Sequence, residues 1–288
     1  MLRHLFIGAA LRKKERRLEE LLRGCRGAIV AFSGGVDSTF LLYKAASVLG
    51  RKNILAVTAA SPIRPAAETE AASKLAAWLG VPHRLIHTAE LSSPLFLENG
   101  PDRCYHCKKV LLDALAAIAA VESRSCLLDG SNHDDLSDYR PGAAAAREFG
   151  LRSPLQEAGL AKEEIRLLSR RHRLPTWNLP SQSCLATRIP YGEQISLEKL
   201  KRIEDAESFL RSLGLRRELR VRCHGRSARI EVRPADFARV LKKRAAVSSY
   251  FKQIGFLHVS LDLEGYASGS LNRSLAQHCP WRHGGNAG

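Results

Sequence analysis

The chain is predicted to be an α/β protein: a parallel sheet with helices on both faces, followed by a smaller C-terminal α+β domain. Three observations predict this. Short apolar runs of strand length alternate with longer segments of helical period between Ala28 and Leu128. The first of those runs ends in a Gly-Gly turn that leads into a helix. Beyond Ile195 the alternation gives way to neighbouring strand-like runs flanked by helices. A chain of 288 residues holds two such cores, and the division is expected near residue 180, giving domains 1–180 and 181–288.

In order, a charged helix is expected over Leu11 to Arg23, a buried strand over Ala28 to Phe32 and a helix from Asp37 to Val48. A strand at Ile54 to Thr58, an Ala-rich helix from Ala66 to Leu79 and a strand at Arg84 to His87 follow. A helix over Lys108 to Val121 and a strand at Cys126 to Leu128 complete the series. Right-handed βαβ crossovers turn such a series into a parallel sheet, and ligands of these sheets bind beyond the carboxyl ends of the strands. The stretch from Leu174 to Ile195 is rich in Pro and Ser and reads as a loop. After it come a helix (Ser196 to Leu213), two strands (Arg220 to Cys223, Ala228 to Val232), a helix (Ala235 to Val247) and a last strand (Phe256 to Leu261). The end from Gly265 has no strong period and is expected to be mobile.

Hydrophobic content of 45% and charged content of 26% are those of a globular chain. The N-terminal apolar stretch runs straight into RKKERR, so no export signal is read. No apolar run approaches the roughly 20 residues of a membrane span. A cytoplasmic protein is expected. Its seven cysteines then read as core packing, metal ligands or reactive thiols rather than a disulfide framework. The net charge of +16 favours anionic partners without choosing among nucleic acid, nucleotide and phosphorylated small molecule.

Ser33-Gly34-Gly35-Val36-Asp37-Ser38 stands between a strand and a helix. Its glycines let the backbone aim N–H groups at an anion, Ser33 and Ser38 add hydroxyls, and Asp37 would orient the loop or engage magnesium. A plain glycine turn with a capping Ser or Asp is the simpler alternative. Thr58 and Asp129 follow the second and fourth of the expected strands and would face the same crevice. Asp129, Asp134 and Asp135 suit magnesium or polar substrate groups, and equally an Asx-rich turn. Cys104 and Cys107 form a C-x-x-C at a helix start, where the dipole, Lys108 and Lys109 would stabilise a thiolate.

AFSGGVDST resembles the loop of the PP-loop ATP pyrophosphatases and lacks the GK[ST] ending of the ordinary P-loop. PDRCYHCKK, DGSNHDDLSDYRPG, SPL, LPTWNLPSQSCLATRIPYGEQI and VRCHGRSARIEV, in this order behind it, resemble the LarE family of ATP-dependent sulfur transferases from about residue 15 to residue 260. The resemblance implies ATP cleavage between the α and β phosphates with Mg2+, and adenylation then thiolation of a carboxylated pyridinium mononucleotide for a nickel-pincer nucleotide. It implies ATP contacts at Ser33, Gly34, Gly35, Asp37, Ser38, Thr58 and Asp129. Cys184 matches the sulfur donor, Arg220 and Arg222 match phosphate-binding arginines, and Glu231 a carboxylate near the sulfur site. Glu207 is a further match by eye. Arg188 would hold substrate phosphate or lower the thiol pKa. A homo-oligomer is also implied.

The chain departs from single-cysteine members. Cys104, Cys107 and Cys184 give three thiolates, which suits a [4Fe-4S] cluster with one iron left open; zinc with His106 as a fourth ligand, or no metal at all, are the alternatives. Cys25, Cys126, Cys223 and Cys279 are assigned no chemistry. The main rival is a tRNA thiolase, since such enzymes also carry three-cysteine clusters, yet no RNA-binding module or zinc knuckle is present. An ammonia-using synthetase leaves the cysteines unexplained, and a nucleotide sensor would not need Cys184.

Overall fold

The structure is a computed structural model that describes residues 8–273, apart from 123, 125, 137–140, 181, 182, 216, 217 and 268. Cys279 and the tail from 274 onward, together with residues 137–140 of the DGSNHDDLSDYRPG stretch, therefore lie outside the described residues. The chain divides into two compact units. One runs to Glu90 and resumes at Cys104, ending before Ser183; the other takes Leu91–Arg103 and the chain from Ser183 on. This differs from a single cut at residue 180 by the thirteen-residue insertion of 91–103 into the second unit.

The first unit contains α1 (Ala9–Arg23), β1 (Ala28–Ala31), α2 (Val36–Leu49), β2 (Ile54–Ala60), α3 (Ala66–Leu79) and β3 (His83–His87). After α4 (Pro94–Leu97), which belongs to the second unit, it continues with α5 (Arg103–Val121), β4 (Cys126–Leu128), α6 (Gly142–Glu148), α7 (Pro154–Glu157) and α8 (Lys162–Arg171). The strands lie in the order β3-β2-β1-β4, and every pair is parallel. Side chains alternate across such a sheet. Ala28, Val30, Ile54 and Ala56 join Leu18, Leu22, Phe40, Ile165 and Leu168 in one core, while Ile29, Leu55 and Val57 join Leu112, Leu115 and Ala145 in the other. The central strands are apolar on both faces for this reason, as a parallel sheet covered by helices requires.

α1 adds a buried polar brace to its apolar contacts. Lys44 on α2 donates to Glu15 at 3.0 Å and to Glu19 at 2.5 Å. His172 Nε2 lies 2.7 Å from Glu15, and its Nδ1 lies 3.2 Å from the Tyr43 hydroxyl. The hydrogen bond with His172, then the bond and charge of Lys44, outweigh burial and hold the Glu15 carboxyl at about 2.

Three sequence expectations need correction. Cys25 and Cys126 form a disulfide across 101 residues of sequence, joining the turn after α1 to the start of β4. α5 begins at Arg103, not Lys108, so the C-x-x-C lies within the helix's first two turns. α6, α7 and α8 occupy a stretch where no element was expected, although α8 carries acidic residues at its start and basic ones at its end, as the helix dipole favours.

The second unit contains α9 (Leu197–Ser212), β5 (Arg220–His224), β6 (Ser227–Glu231), α10 (Phe237–Lys242), α11 (Arg244–Gln253) and β7 (His258–Leu261). Ser196 caps α9 by accepting from Lys199 N at 3.2 Å. β5 pairs antiparallel with β6, and β6 parallel with β7. Val221, Cys223, Ala228 and Ile230 are buried on the face that α9 and α11 cover. The helix expected over Ala235 to Val247 is two, α10 and α11, meeting at Lys243. No helix among the described residues is long and apolar enough to cross a membrane.

Candidate active site

In the first unit the loop after β1 is shaped by its own hydroxyls. Ser33 Oγ and Ser38 Oγ lie 3.0 Å apart, Gly35 N donates to Ser33 Oγ at 3.3 Å, and Ser33 N donates to Ser38 Oγ at 3.3 Å. Gly34 takes φ +74°, and a Cβ there would stand 3.2 Å from Ala72 of α3. Glycine is therefore required twice over, for its left-handed backbone and for the close approach of α3. No side chain among the described residues caps α2, so the loop presents a helix N-terminus of the kind that receives phosphate.

Parallel pairing of β1 with β4 carries a second loop to this place. A Cβ on Gly130 would meet Ser38 N at 2.9 Å, so only glycine lets the β4 loop lie against the start of α2. Asp129, the residue before it, is buried and accepts from Lys108 Nζ at 2.9 Å, Ser153 Oγ at 2.7 Å, and Ser131 N at 3.2 Å. Burial alone would raise its pKa; the Lys108 charge and these hydrogen bonds outweigh it and leave the carboxyl below its ordinary value. Lys108, expected beside the Cys107 thiolate, is instead the counter-ion of Asp129.

Asp37 Oδ2 is held by Lys162 Nζ at 2.5 Å, while its Oδ1 is buried with no hydrogen-bond partner among the described residues. One uncommitted carboxylate oxygen beside a phosphate-type loop fits a magnesium ion, which takes one or two carboxylates and completes its shell with water and phosphate. Gly34, Gly35 and the start of α2 fit the phosphates themselves. Thr58, expected at ATP, turns its hydroxyl inward between Phe32 O at 2.7 Å and His83 Nε2 at 2.9 Å. It ties the ends of β1 and β2 together behind the loop. Asn132, Asp134 and Asp135 form a turn, with Asp134 N donating to Asn132 Oδ1 at 2.9 Å and Asn132 N donating to Asp135 Oδ2 at 2.9 Å. Asp134 also receives Lys162 N at 2.9 Å. Lys162 was not singled out from sequence; its pairing with Asp37 spans 125 positions.

In the second unit Cys184 is half-buried and stands at the head of a short 3-10 turn, Leu185–Arg188. Arg188 is buried. Its Nη1 donates to Ser183 O at 2.8 Å and to Cys184 O at 2.9 Å, and its Nε to Glu207 Oε1 at 2.8 Å. This guanidinium holds the backbone on either side of the cysteine and also lines the cavity that Arg222 and Glu231 border. Glu207 is fully buried; burial would raise its pKa, and Arg188, then Arg211 and Arg220, bring it below the ordinary value.

Period-two alternation in β5 and β6 places Arg220, Arg222 and His224 on one sheet face with Arg229 and Glu231. Arg222 and Arg229 are direct cross-strand partners, a like-charge pairing that Glu231 bridges. Glu231 accepts from Arg222 Nε and Nη2, both at 2.9 Å, and from Arg229 Nη2 at 3.1 Å. Arg222 Nη1 also donates to Thr187 O at 2.7 Å, within the Cys184 loop. A cavity of about 400 Å3 opens here, lined by Arg222, His224, Arg229, Glu231, Asp262 and Arg273 among others. Arg220 is buried over the Tyr266 ring; burial, then the Arg188 charge, lowers its pKa.

Cys104 is exposed and Cys107 half-buried, three residues apart at the start of α5. Such spacing puts two side chains on one helix face. No group of three His, Cys, Asp or Glu side chains suited to a metal is assembled among the described residues. Cys223 is buried, which raises its thiol pKa.

A parallel α/β sheet with a glycine loop of this kind, Asp37 beside it and no P-loop lysine ending defines the PP-loop class of ATP-using enzymes. The NAD synthase family model matches residues 12–99, and an NH3-dependent NAD+ synthetase of Methanococcoides burtonii is 38% identical over 64 residues, 22% of this chain and 24% of that protein. Two relatives extend over nearly the whole chain. An uncharacterised protein of Synechocystis sp. is 43% identical over 269 residues, 93% of this chain and 100% of the relative. The pyridinium-3,5-bisthiocarboxylic acid mononucleotide synthase of Lactiplantibacillus plantarum is 37% identical over 269 residues, 93% of this chain and 97% of the synthase. The chain belongs to the LarE family of ATP-dependent sulfur transferases.

Proposed function

We propose that this protein adenylates a carboxyl group of a pyridinium mononucleotide and then converts it to a thiocarboxyl group. The observation that carries this reading is the 37% identity to the mononucleotide synthase over 93% of the chain. The loop Ser33 to Ser38 would hold the phosphates of ATP, with Asp37 and Asp129 orienting magnesium and the loop. A substrate carboxylate oxygen attacks the α-phosphorus and pyrophosphate leaves. A sulfur nucleophile then attacks the acyl carbon and AMP leaves. Arg220 and Arg222 are assigned to the substrate phosphate, as guanidinium forks suit that geometry, and Glu231 keeps Arg222 in place. In this reading the first unit serves ATP, the second holds the substrate, and the enzyme works as a homo-oligomer in the cytoplasm.

For the sulfur source we propose Cys104, Cys107 and Cys184 as the three protein ligands of a [4Fe-4S] cluster. The observation favouring it is the placement of Cys104 and Cys107 on one accessible helical turn, outside both apolar cores. When bound, such a cluster supplies an iron without a protein ligand, at which external sulfide can be held. Cys104, Cys107 and Cys184 would hold the cluster, and Arg220 and Arg222 would hold the nucleotide beside it.

The test combines two measurements. Incubation with magnesium, ATP and the carboxylated mononucleotide should release pyrophosphate and AMP; ADP and phosphate would sink the loop assignment. Anaerobic purification with iron, sulfide and zinc analysis should find iron and sulfide in a near-equal ratio. Zinc alone, or a protein mass lowered by one hydrogen sulfide at residue 184 after a single turnover, would overturn the cluster. A thiolated tRNA nucleoside would overturn the substrate class.

A further inference from the structure

The thirteen residues of the first half of the chain that group with the second unit end in a buried polar pair, Asn99 and Arg103. Asn99 has no exposed surface and sits at φ +58°, a left-handed conformation that asparagine tolerates better than other non-glycine residues. Its Nδ2 donates to three backbone carbonyls of one loop: Pro190 at 2.7 Å, Glu193 at 3.0 Å and Ile189 at 3.3 Å. Its own carbonyl accepts from Gly192 N at 3.1 Å. Leu97 O accepts from Ile195 N at 2.9 Å. Arg103, 2% exposed, donates through Nη1 to Asn99 Oδ1 and to Ala186 O, the latter at 3.2 Å, and lies 4.8 Å over the Tyr191 ring.

Residues 97–103 thus hold the Cys184 loop at 186, 189, 190, 192, 193 and 195, using a side-chain amide and a guanidinium where a regular strand partner would use a ladder. Backbone carbonyls in a buried irregular loop must find donors, and an asparagine amide with its two hydrogens is suited to collecting several at once. Arg188 with Glu207 fixes the loop on the cysteine's immediate neighbours; Asn99 with Arg103 fixes its downstream arm. Neither Asn99 nor Arg103 lines the arginine-rich cavity.

We propose that Asn99 and Arg103 are positioning residues for sulfur transfer: they form a clamp that sets where the Cys184 backbone stands, without taking part in adenylation. The proposal rests on the reading of Cys184 as a sulfur-transfer residue. A loop held by six points places its thiol in one orientation, and misplacement of a reacting atom by about 1 Å costs on the order of 100-fold in rate. Loss of the clamp should therefore appear in the rate of sulfur transfer, not in nucleotide affinity.

The test uses the full-length protein and two variants. Asn99→Gly keeps the left-handed backbone and removes the amide; Arg103→Lys keeps the charge and removes the fork. For each, pyrophosphate release, thiolated product and the time profile of Cys184 alkylation by iodoacetamide at one fixed pH are measured, with circular dichroism as the fold control. Pyrophosphate release and substrate KM should stay within about twofold of wild type, sulfur transfer should fall about 10-fold to 100-fold, and the alkylation profile of Cys184 should change. Folded variants that transfer sulfur at the wild-type rate with an unchanged alkylation profile would overturn the clamp, as would an equal fall of pyrophosphate release and sulfur transfer in both variants. If wild type releases pyrophosphate yet never yields thiolated product, the functional reading fails, and the alkylation profiles alone decide the clamp.

Discussion

In the first unit the loop from Ser33 to Ser38 is shaped by backbone turns and hydroxyl contacts, leaving a helix N-terminus without a side-chain cap and one Asp37 oxygen without a partner among the described residues. In the second unit the loop around Cys184 is held by buried charged and amide side chains whose bonds run mostly to the loop itself. The difference follows from what each loop must do. A phosphate site needs donors ready for a large anion, so its interactions are left open toward the ligand. A cysteine that serves sulfur transfer must stand in one well-defined place, so its surroundings are closed around the backbone.

The comparison breaks most sharply at Cys184. Cys184→Ala should reduce thiolated product to background while leaving pyrophosphate release near wild type, because the first loop does not depend on the thiol. A joint loss of both activities in the folded variant would show that the two loops act as one. Gly34→Val is the converse. Its side chain meets Ala72 and its φ of +74° is unfavourable to a β-branched residue, so pyrophosphate release should vanish; recovery of product from a pre-adenylated substrate would confirm that the second loop still works. Failure with that substrate would contradict the separation.

Much of this was legible in the sequence and some was not, for physical reasons. The strands announce themselves through apolar runs, and the phosphate loop through glycines whose need is local: Gly34 by its backbone, Gly130 by close approach. Arg222 and Glu231 could be placed on one face by alternation alone. Lys162, Lys108, Asn99 and Arg103 could not, since each finds its partner 125, 21, 94 and 83 positions away at the most distant bond given for it, and nothing in a charged residue's neighbours names its counter-ion. The Cys25–Cys126 pair is of the same kind. Arg188 was visible as a charge near the cysteine; that its fork faces inward depends on Glu207 from α9.

A smaller effect is expected from the ion pair that supports the closed loop. Glu207→Gln removes the charge opposite Arg188 in a fully buried setting, and leaving a buried guanidinium without its carboxylate costs about 3 kcal/mol or more. Urea unfolding should show that loss in the second unit. A change below about 1 kcal/mol would mean that Arg211 or backbone carbonyls compensate, and that the loop is less closed than its geometry indicates.

The smallest effect distinguishes the units by pH. Glu15 clamps α1 against α2, the helix that begins in the phosphate loop, and its carboxyl is held at about 2 against an ordinary value of 4.5. A carboxylate depressed in the folded state stabilises fully above its unfolded pKa, and the contribution is lost as pH falls through the window from 4.5 toward 2. Acidification over that range should therefore weaken the first unit through loss of the bonds to His172 and Lys44. Glu15→Gln should be less stable than wild type near neutrality and show a flatter acid limb, with the two melting curves converging at the acid end. Melting followed by the fluorescence of Trp78, which lies on α3 of the first unit, would report it. Parallel limbs for variant and wild type would place the acid sensitivity elsewhere, with Asp129 beside Lys108 the next carboxylate to replace, because its pKa is also depressed and it stands next to the phosphate loop.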